Sequence, residues 1–191
     1  MFDKENFISK CKELIKLEDG HKKIKSLLEE AIADPEQVIK QLGDPDHAGF
    51  EILYRSDDLT IINFIWAPGM ELHAHNHNIW AIIGIYTGVE ENTFYVRKNG
   101  TIVKQNTKNL EAGDVLMLGE NVIHSVKNPT IAATGGIHVY GGDFVAITRS
   151  EWDMTSFKES PYDMEHTKKV FADANMRWKS GGGEVFQRDN R

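Results

Sequence analysis

Three histidines alternate along one short stretch of the chain, at positions 73, 75 and 77, and two more follow at positions 124 and 138. In an extended strand, residues i, i+2 and i+4 face the same side. His73, His75 and His77 would therefore present their imidazoles from one face, where the rings can converge on a single point. Imidazole is a ligand of iron, zinc, copper and nickel. The pattern predicts a metal site in either of two registers; the alternative is a polar strand edge that faces solvent.

Glycines and histidines recur around this stretch with a spacing that is typical of one superfamily of β proteins. The residues of the first set are Gly69, His75, His77 and Gly88, and those of the second set are Gly113, Gly119, His124 and Asn128. The two sets resemble the two motifs of the cupin superfamily. The resemblance implies a double-stranded β-helix barrel with His75, His77 and His124 as the metal ligands. It places His73 one step before the ligand pair, beside the site or at its mouth.

The position at which the cupin motif usually supplies a glutamate ligand is occupied by Ala81. Three neutral imidazoles leave the +2 charge of a metal uncompensated, unlike the two-histidine-one-carboxylate site of many iron oxygenases. An uncompensated dication favours anionic ligands and deprotonates a bound thiol. With three protein ligands, an octahedral ion keeps about three positions for substrate and dioxygen.

Two segments, residues 75–84 and 136–141, look like those of the thiol dioxygenases, the cysteine and 3-mercaptopropionate dioxygenases. This resemblance implies one Fe(II) per chain and the oxidation of a small carboxylate-bearing thiol by dioxygen to its sulfinic acid. His138 and Tyr140 match the His and Tyr of the family's Ser-His-Tyr triad and are the predicted catalytic residues, whereas Gly136 replaces the serine. At i and i+2 they share a face, where the hydroxyl could orient substrate or move a proton. The alternative is a tyrosine that is hydrogen-bonded for packing alone.

Two arginines are candidates for binding a substrate carboxylate, because a guanidinium can donate to both of its oxygens. Arg149 resembles the carboxylate-binding arginine of the bacterial mercaptopropionate enzymes, and Arg55 resembles that of cysteine dioxygenase. Each could instead form a surface ion pair, since acidic residues follow both within four positions.

The single cysteine, Cys11, excludes an intramolecular disulfide and fits a reducing compartment. Animal cysteine dioxygenase crosslinks a cysteine to its active-site tyrosine, and Trp80 occupies roughly that place here. We therefore expect no Cys-Tyr crosslink.

Composition bounds the class of protein. The chain has 191 residues, of which 40% are hydrophobic and 27% are charged, so it is long enough for one globular domain. Its net charge of −7 argues against binding to nucleic acid or to an anionic membrane. The sequence has no apolar stretch of the roughly 18–20 residues that a membrane span needs, and its first residues do not resemble a secretory signal. We expect a cytoplasmic protein whose partners are small molecules, and a homodimer is left open.

Three regions differ in their hydrophobic period. Residues 1–45 read as a helical extension packed on a barrel, residues 46–155 as the cupin barrel, and residues 156–191 as a C-terminal segment with a short helix and a mobile tail. The β-rich runs between about residues 50 and 150 are short and regularly spaced, which is typical of a barrel or sandwich. The predicted fold class is therefore mainly β. The helical residues either cover the barrel or form a dimer contact.

Two other functions fit the same residues. One is a three-histidine cupin metalloenzyme that acts on a small molecule other than a thiol. The other is a cupin that binds a metal or ligand without catalysis, although a site of that kind has no need of the His138–Tyr140 pair.

Overall fold

The computed structural model describes residues 2–181. In this range the helices are α1 (Lys4–Leu14), α2 (Gly20–Ile32), α3 (Pro35–Leu42) and α4 (Met164–Lys179). The strands are β1 (Gly49–Arg55), β2 (Thr60–Trp66), β3 (Glu71–Asn76), β4 (Ala81–Thr87), β5 (Val89–Lys98), β6 (Thr101–Glu111), β7 (Val115–Leu118), β8 (Ile123–Lys127), β9 (Thr134–Tyr140), β10 (Ser150–Trp152) and β11 (Glu159–Pro161).

The strands form two antiparallel sheets. The first sheet has the order β1-β2-β9-β4-β7, and the second has the order β11-β10-β3-β8-β5-β6. Consecutive strands therefore alternate in part between the sheets, as in a double-stranded β-helix: β3 lies in the second sheet and β4 in the first. The predicted fold class, a mainly β double-stranded β-helix with an N-terminal helical segment and a C-terminal helix, is confirmed.

The two faces of the first sheet belong to different apolar clusters. In β9, Ile137 and Val139 pack under the N-terminal helices, whereas Tyr140 belongs to the cluster between the two sheets. This follows from the alternation of side chains along a strand. Buried residues of both sheets, such as Ile83 and Val126, meet in that inner cluster, which forms the barrel interior.

The N-terminal helices cover the outer face of the first sheet. Leu28 and Ile32 of α2 are fully buried and lie over Gly84 of β4. A Cβ at Gly84 would lie 2.8 Å from the Leu28 side chain, so the glycine permits this close approach. Burial of this helix face is the main contribution to the stability of α2, because a helix of this length is only marginally stable in isolation.

The C-terminal helix packs against the inner apolar cluster. Phe171 of α4 packs on Trp66 and Phe50, with ring centroids 5.4 and 5.7 Å apart. Strand β11 extends the second sheet past residue 155, at which the predicted barrel ends. The mobile tail that the sequence predicted lies, from residue 182 onward, outside the described residues. Within residues 2–181, none of the helices combines the length and the apolar character needed to cross a membrane.

Candidate metal centre

Three buried imidazoles converge inside the barrel. His75 on β3 pairs directly with His124 on the neighbouring strand β8, and His77 follows the end of β3. The Nε2 atom of His77 lies 3.3 Å from that of His75 and 3.1 Å from that of His124. These three residues form a group that could bind a metal, as the cupin resemblance implied.

The Nδ1 atoms of His75 and His124 each lie next to an oxygen atom of the protein, which leaves the Nε2 atoms of these two residues free to coordinate a metal. Nδ1 of His75 lies 3.0 Å from the backbone oxygen of His73, and Nδ1 of His124 lies 2.7 Å from Oδ1 of Asn92. Since both oxygens are acceptors, Nδ1 carries the proton and Nε2 bears the lone pair.

Burial keeps the three histidines neutral. Burial is the largest cause that lowers the pKa of each imidazole, to about 4 for His124. For His75 and His77, the repulsion that protonated neighbouring imidazoles would exert lowers the pKa further. Metal binding requires neutral imidazole. The donor set therefore fits a divalent first-row metal such as Fe(II) in its chemistry and spacing.

His73 belongs to a different group of side chains. Its Nε2 atom lies 2.9 Å from Glu151, whose other oxygen lies 3.0 Å from Nδ1 of His166, and the two imidazoles are stacked 4.6 Å apart. The pairing of β3 with β8 is irregular between Leu72 and His75, so strict alternation does not hold there. His73 thus contributes its backbone oxygen to His75 and its side chain to the attachment of α4.

A hydrogen-bonded set of polar groups lies beside the triad. Nδ1 of His138 is 3.2 Å from the hydroxyl of Tyr140, and both residues are buried. Burial raises the pKa of Tyr140 well above its usual value, with Arg149 acting in the opposite sense. The hydroxyl is therefore protonated at neutral pH.

Glu90, a fully buried carboxylate on β5, belongs to the same set of polar groups but was not predicted from the sequence. It accepts hydrogen bonds from Nε1 of Trp66 at 2.8 Å and from Nδ2 of Asn92 at 2.9 Å, and it lies 3.3 Å from Nε2 of His138. Burial acts to raise the pKa of Glu90, but His138 and Asn92 lower it overall. The available signal was a polar pair at i and i+2, Glu90 and Asn92, in a β-rich run.

The predicted metal ligands and catalytic pair line one cavity, which has a volume of about 30 Å³. Its lining is otherwise largely apolar and aromatic. The polar and charged groups in the lining are His75, His77, His124, His138, Tyr140, Arg149, Tyr162 and Thr167. An apolar enclosure of this kind strengthens electrostatic interactions with a bound ligand.

Arg149 lines this cavity and forms no ion pair with another described residue. Its guanidinium lies between the rings of Phe144 and Tyr162, 4.0 and 3.9 Å from their centroids, and Nη1 donates to the Phe144 carbonyl. Nε and Nη2 are buried without a hydrogen-bond partner among the described residues. Buried donors normally have partners, so two donors are left for an anionic ligand.

Arg55 is placed elsewhere. Its Nε and Nη2 atoms donate to the two oxygens of Asp143, each at 2.8 Å, and 42% of its side chain is exposed. It does not line the cavity. The structure therefore brings Arg149, and not Arg55, to the histidines.

Two further residues lie on the helix-covered side of the first sheet. Cys11 is buried there, and burial raises its pKa to about 12. Trp80 packs against the same cluster, with its ring 6.1 Å from that of His21. Neither lines the cavity that contains Tyr140.

Comparison with known proteins adds a likeness of fold. No protein-family model matches the chain. Similar solved structures include a protein with a double-stranded β-helix domain from Klebsiella pneumoniae, 18% identical, with a TM-score of 0.41 over 51% of this chain and 74% of that one. A cupin superfamily protein from Desulfitobacterium hafniense is 20% identical, with a TM-score of 0.43 over 51% and 79% of the two chains.

An oxalate decarboxylase from Bacillus subtilis is 18% identical, with a TM-score of 0.38 over 46% of this chain and 22% of that one. Likenesses at this level carry no inference about what the present chain binds or catalyses.

Proposed function

We propose that this protein is an Fe(II)-dependent thiol dioxygenase, which converts a small carboxylate-bearing thiol and dioxygen into the corresponding sulfinic acid. The observation that supports the proposal most directly is the shared cavity, which Arg149, with two buried donors that have no partner among the described residues, lines together with the three converging imidazoles. Both oxygen atoms of dioxygen enter the product, so the reaction needs no external reductant.

Each residue of the cavity has a role that follows from its contacts. His75, His77 and His124 would hold Fe(II), which when bound supplies the activation of thiol and dioxygen. Arg149 binds the substrate carboxylate through Nε and Nη2, with its plane fixed by the flanking rings. Tyr140, hydrogen-bonded to Nδ1 of His138, orients the reacting ligand through its hydroxyl oxygen or moves a proton between the ligand and the imidazole. The apolar lining excludes water from the reacting atoms.

Further parts of the proposal rest on the sequence alone. The single cysteine and the negative net charge support a cytoplasmic enzyme whose partners are small molecules rather than nucleic acid or membranes. Formation of a homodimer stays a prediction.

The test combines metal analysis with oxygen consumption. Protein purified without added metal is analysed for its metal content, then supplied with Fe(II) and with 3-mercaptopropionate, cysteine or cysteamine. We expect oxygen uptake and a stoichiometric sulfinate with a carboxylate-bearing thiol. The absence of uptake with every thiol would remove the thiol assignment, and full occupancy by zinc or nickel alone would remove the iron assignment.

One observation favours a second candidate. Arg149 has donors suited to a carboxylate, whereas none of the residues that line the cavity offers a contact selective for sulfur. A three-histidine metalloenzyme acting on a carboxylate without a thiol group therefore fits the same cavity. Metal-dependent turnover of such an acid, together with inert thiols, would support this candidate over the first.

A further inference from the structure

Glu90 is a carboxylate enclosed entirely by protein groups. It has no exposed surface, and Trp66 and Asn92 each donate a hydrogen bond to it. An ionised carboxylate offers only acceptors. Every neighbour that bonds to Glu90 must therefore turn a donor toward it, and this requirement fixes how those neighbours present their remaining atoms.

Through Asn92, Glu90 is connected to a predicted metal ligand. Because Nδ2 of Asn92 faces Glu90, Oδ1 of the same amide faces His124, at 2.7 Å from Nδ1. An amide oxygen accepts only, so Nδ1 of His124 carries the proton. Nε2, the atom directed at His77, then keeps its lone pair for a metal.

Through its contact with His138, Glu90 is also connected to the predicted catalytic pair. Nε2 of His138 lies 3.3 Å from Oε2 of Glu90, a close approach without regular hydrogen-bond geometry. A lone pair on Nε2 would oppose the carboxylate in a buried space, whereas an N–H at that atom is attracted to it. With the proton on Nε2, Nδ1 accepts from the Tyr140 hydroxyl at 3.2 Å.

Gly136 lies close to the same ring atom of His138. A Cβ built at Gly136 would lie 3.4 Å from Nε2 of His138, so a side chain there would approach the same ring atom. This is the position at which the resembling triad has its serine. Here Glu90 approaches that atom from β5 instead.

We propose that Glu90 is a positioning residue that sets the proton on both histidines: on Nδ1 of the metal ligand His124, through Asn92, and on Nε2 of His138, beside Tyr140. It also places one negative charge two hydrogen bonds away from the metal ligand His124, in a chain with Ala81 at the position of the usual carboxylate ligand. The consequence for turnover rests on the proposed function, but the proton positions do not.

The proton positions are measurable in the wild-type, metal-free protein. Nitrogen-15 NMR at about pH 8, above the usual histidine pKa of about 6.5, distinguishes protonated from bare ring nitrogens. We expect a protonated Nδ1 and a bare Nε2 in His124, and the reverse in His138. The opposite tautomer, or a mixture, at either residue would overturn the proposal, whatever the protein does with thiols.

Variants test separately the connection of Glu90 to His124 and its connection to His138. Glu90→Gln keeps the shape but introduces a donor, so we expect His138 to lose its single tautomer and the affinity of the metal-free protein for Zn(II) to fall roughly 10- to 100-fold. Asn92→Ala should reduce Zn(II) affinity while the His138 tautomer is retained. Glu91→Gln, the same exchange at the next position of β5, is the matched control and should change neither.

These measurements can either support or contradict the proposed role of Glu90. Unchanged tautomers and unchanged Zn(II) affinity in a folded Glu90→Gln protein would contradict the proposal. If that variant does not fold, the wild-type spectrum and Asn92→Ala still decide. Because no thiol or dioxygen is used, failure of this inference is distinct from failure of the proposed function.

Discussion

The guanidinium of Arg149 is stacked 3.9 Å from the ring of Tyr162, a residue whose ring centroid is 6.0 Å from that of His75. This stacking fixes the plane of the charge in a cavity that the triad also lines. A planar donor held on both faces loses little conformational entropy when it binds a carboxylate. The protein therefore fixes the position of the guanidinium relative to the three histidines before any ligand binds.

Arg149→Lys should weaken the binding of carboxylate-bearing substrates specifically. Lysine keeps the charge but loses the fork, and a hydrogen bond to a charged group contributes about 1.5–3 kcal/mol. We expect KM for a carboxylate-bearing thiol to rise roughly 10- to 150-fold, with a much smaller change for cysteamine, which has no carboxylate. Oxygen consumption over a range of substrate concentrations measures both.

Two other arginines serve as controls for the expected change in KM. Arg97→Lys, at a surface residue paired with Glu159, is the matched control. Arg55→Lys tests the other arginine that the sequence suggested, and its pairing with Asp143 outside the cavity lining predicts little change in KM. A larger rise in KM for Arg55→Lys than for Arg149→Lys would contradict our placement of the carboxylate.

Metal content should distinguish His73 from its neighbours. His75→Ala or His124→Ala removes one of three converging nitrogens and should abolish most Fe(II) binding, whereas His73→Ala leaves them in place. Metal analysis after dialysis against Fe(II) under anaerobic conditions measures the difference. His166→Ala, which removes the ring stacked on His73, should retain metal as His73→Ala does. Equal losses in His73→Ala and His75→Ala would show that the ligand set is misassigned.

Local patterns were sufficient for the parts of the molecule that depend on local sequence. The apolar, β-branched run Thr60–Trp66 lies between turn residues and coincides with β2, and Val115–Leu118 coincides with β7. Alternation brought out His75 and His77, and the motif resemblance supplied His124. These features need only strand periodicity and turn chemistry.

The remaining features depend on contacts between distant strands. Glu90 bonds to Trp66 on another strand and approaches His138 on a third, and no sequence spacing encodes that meeting. The acidic residue two positions after Arg149 suggested an ion pair between them, yet Glu151 turns to His73 and His166 and leaves Arg149 in the cavity. Such partner choices are set by tertiary packing, which a single sequence does not display.

Tyr140→Phe should leave the metal in place and slow the chemical step. The hydroxyl is held by His138 beside the triad but is not one of its ligands. Proton transfer or hydrogen bonding by a positioned side chain contributes about 100-fold or more, so we expect kcat to fall roughly 100-fold with metal content unchanged. Tyr86→Phe is the matched control, since its hydroxyl bonds to Asn63 on the far side of the sheet. Unchanged kcat in Tyr140→Phe would remove its catalytic role.

Glu151→Gln should loosen α4 from the barrel. The carboxylate accepts from the backbone N–H of Asp163 at the start of α4 and lies beside both His73 and His166. Replacing one partner of a buried charged hydrogen bond costs about 1–3 kcal/mol. We expect lower thermal stability and faster hydrogen exchange in the first turn of α4, measured by mass spectrometry. Glu165→Gln, which removes an exposed pair with Lys168, should have little effect.

Cys11 should make the protein less stable at alkaline pH. Burial raises its pKa from 9.0 to about 12, so the folded protein keeps the thiol proton while the unfolded chain releases it above pH 9.0. The contribution is present in full below that pH and falls by about 1.4 kcal/mol per pH unit above it, until the folded pKa is reached. Urea unfolding between about pH 8 and 10 measures the slope, and the difference between the wild type and Cys11→Ala separates the thiol from the unfolded-state tyrosines, whose usual pKa of about 10 places their ionisation in the same range. Cys11→Ala should be less stable overall because of the cavity it leaves, yet its stability should depend less on pH. An equal slope in the variant would mean that another group binds the proton.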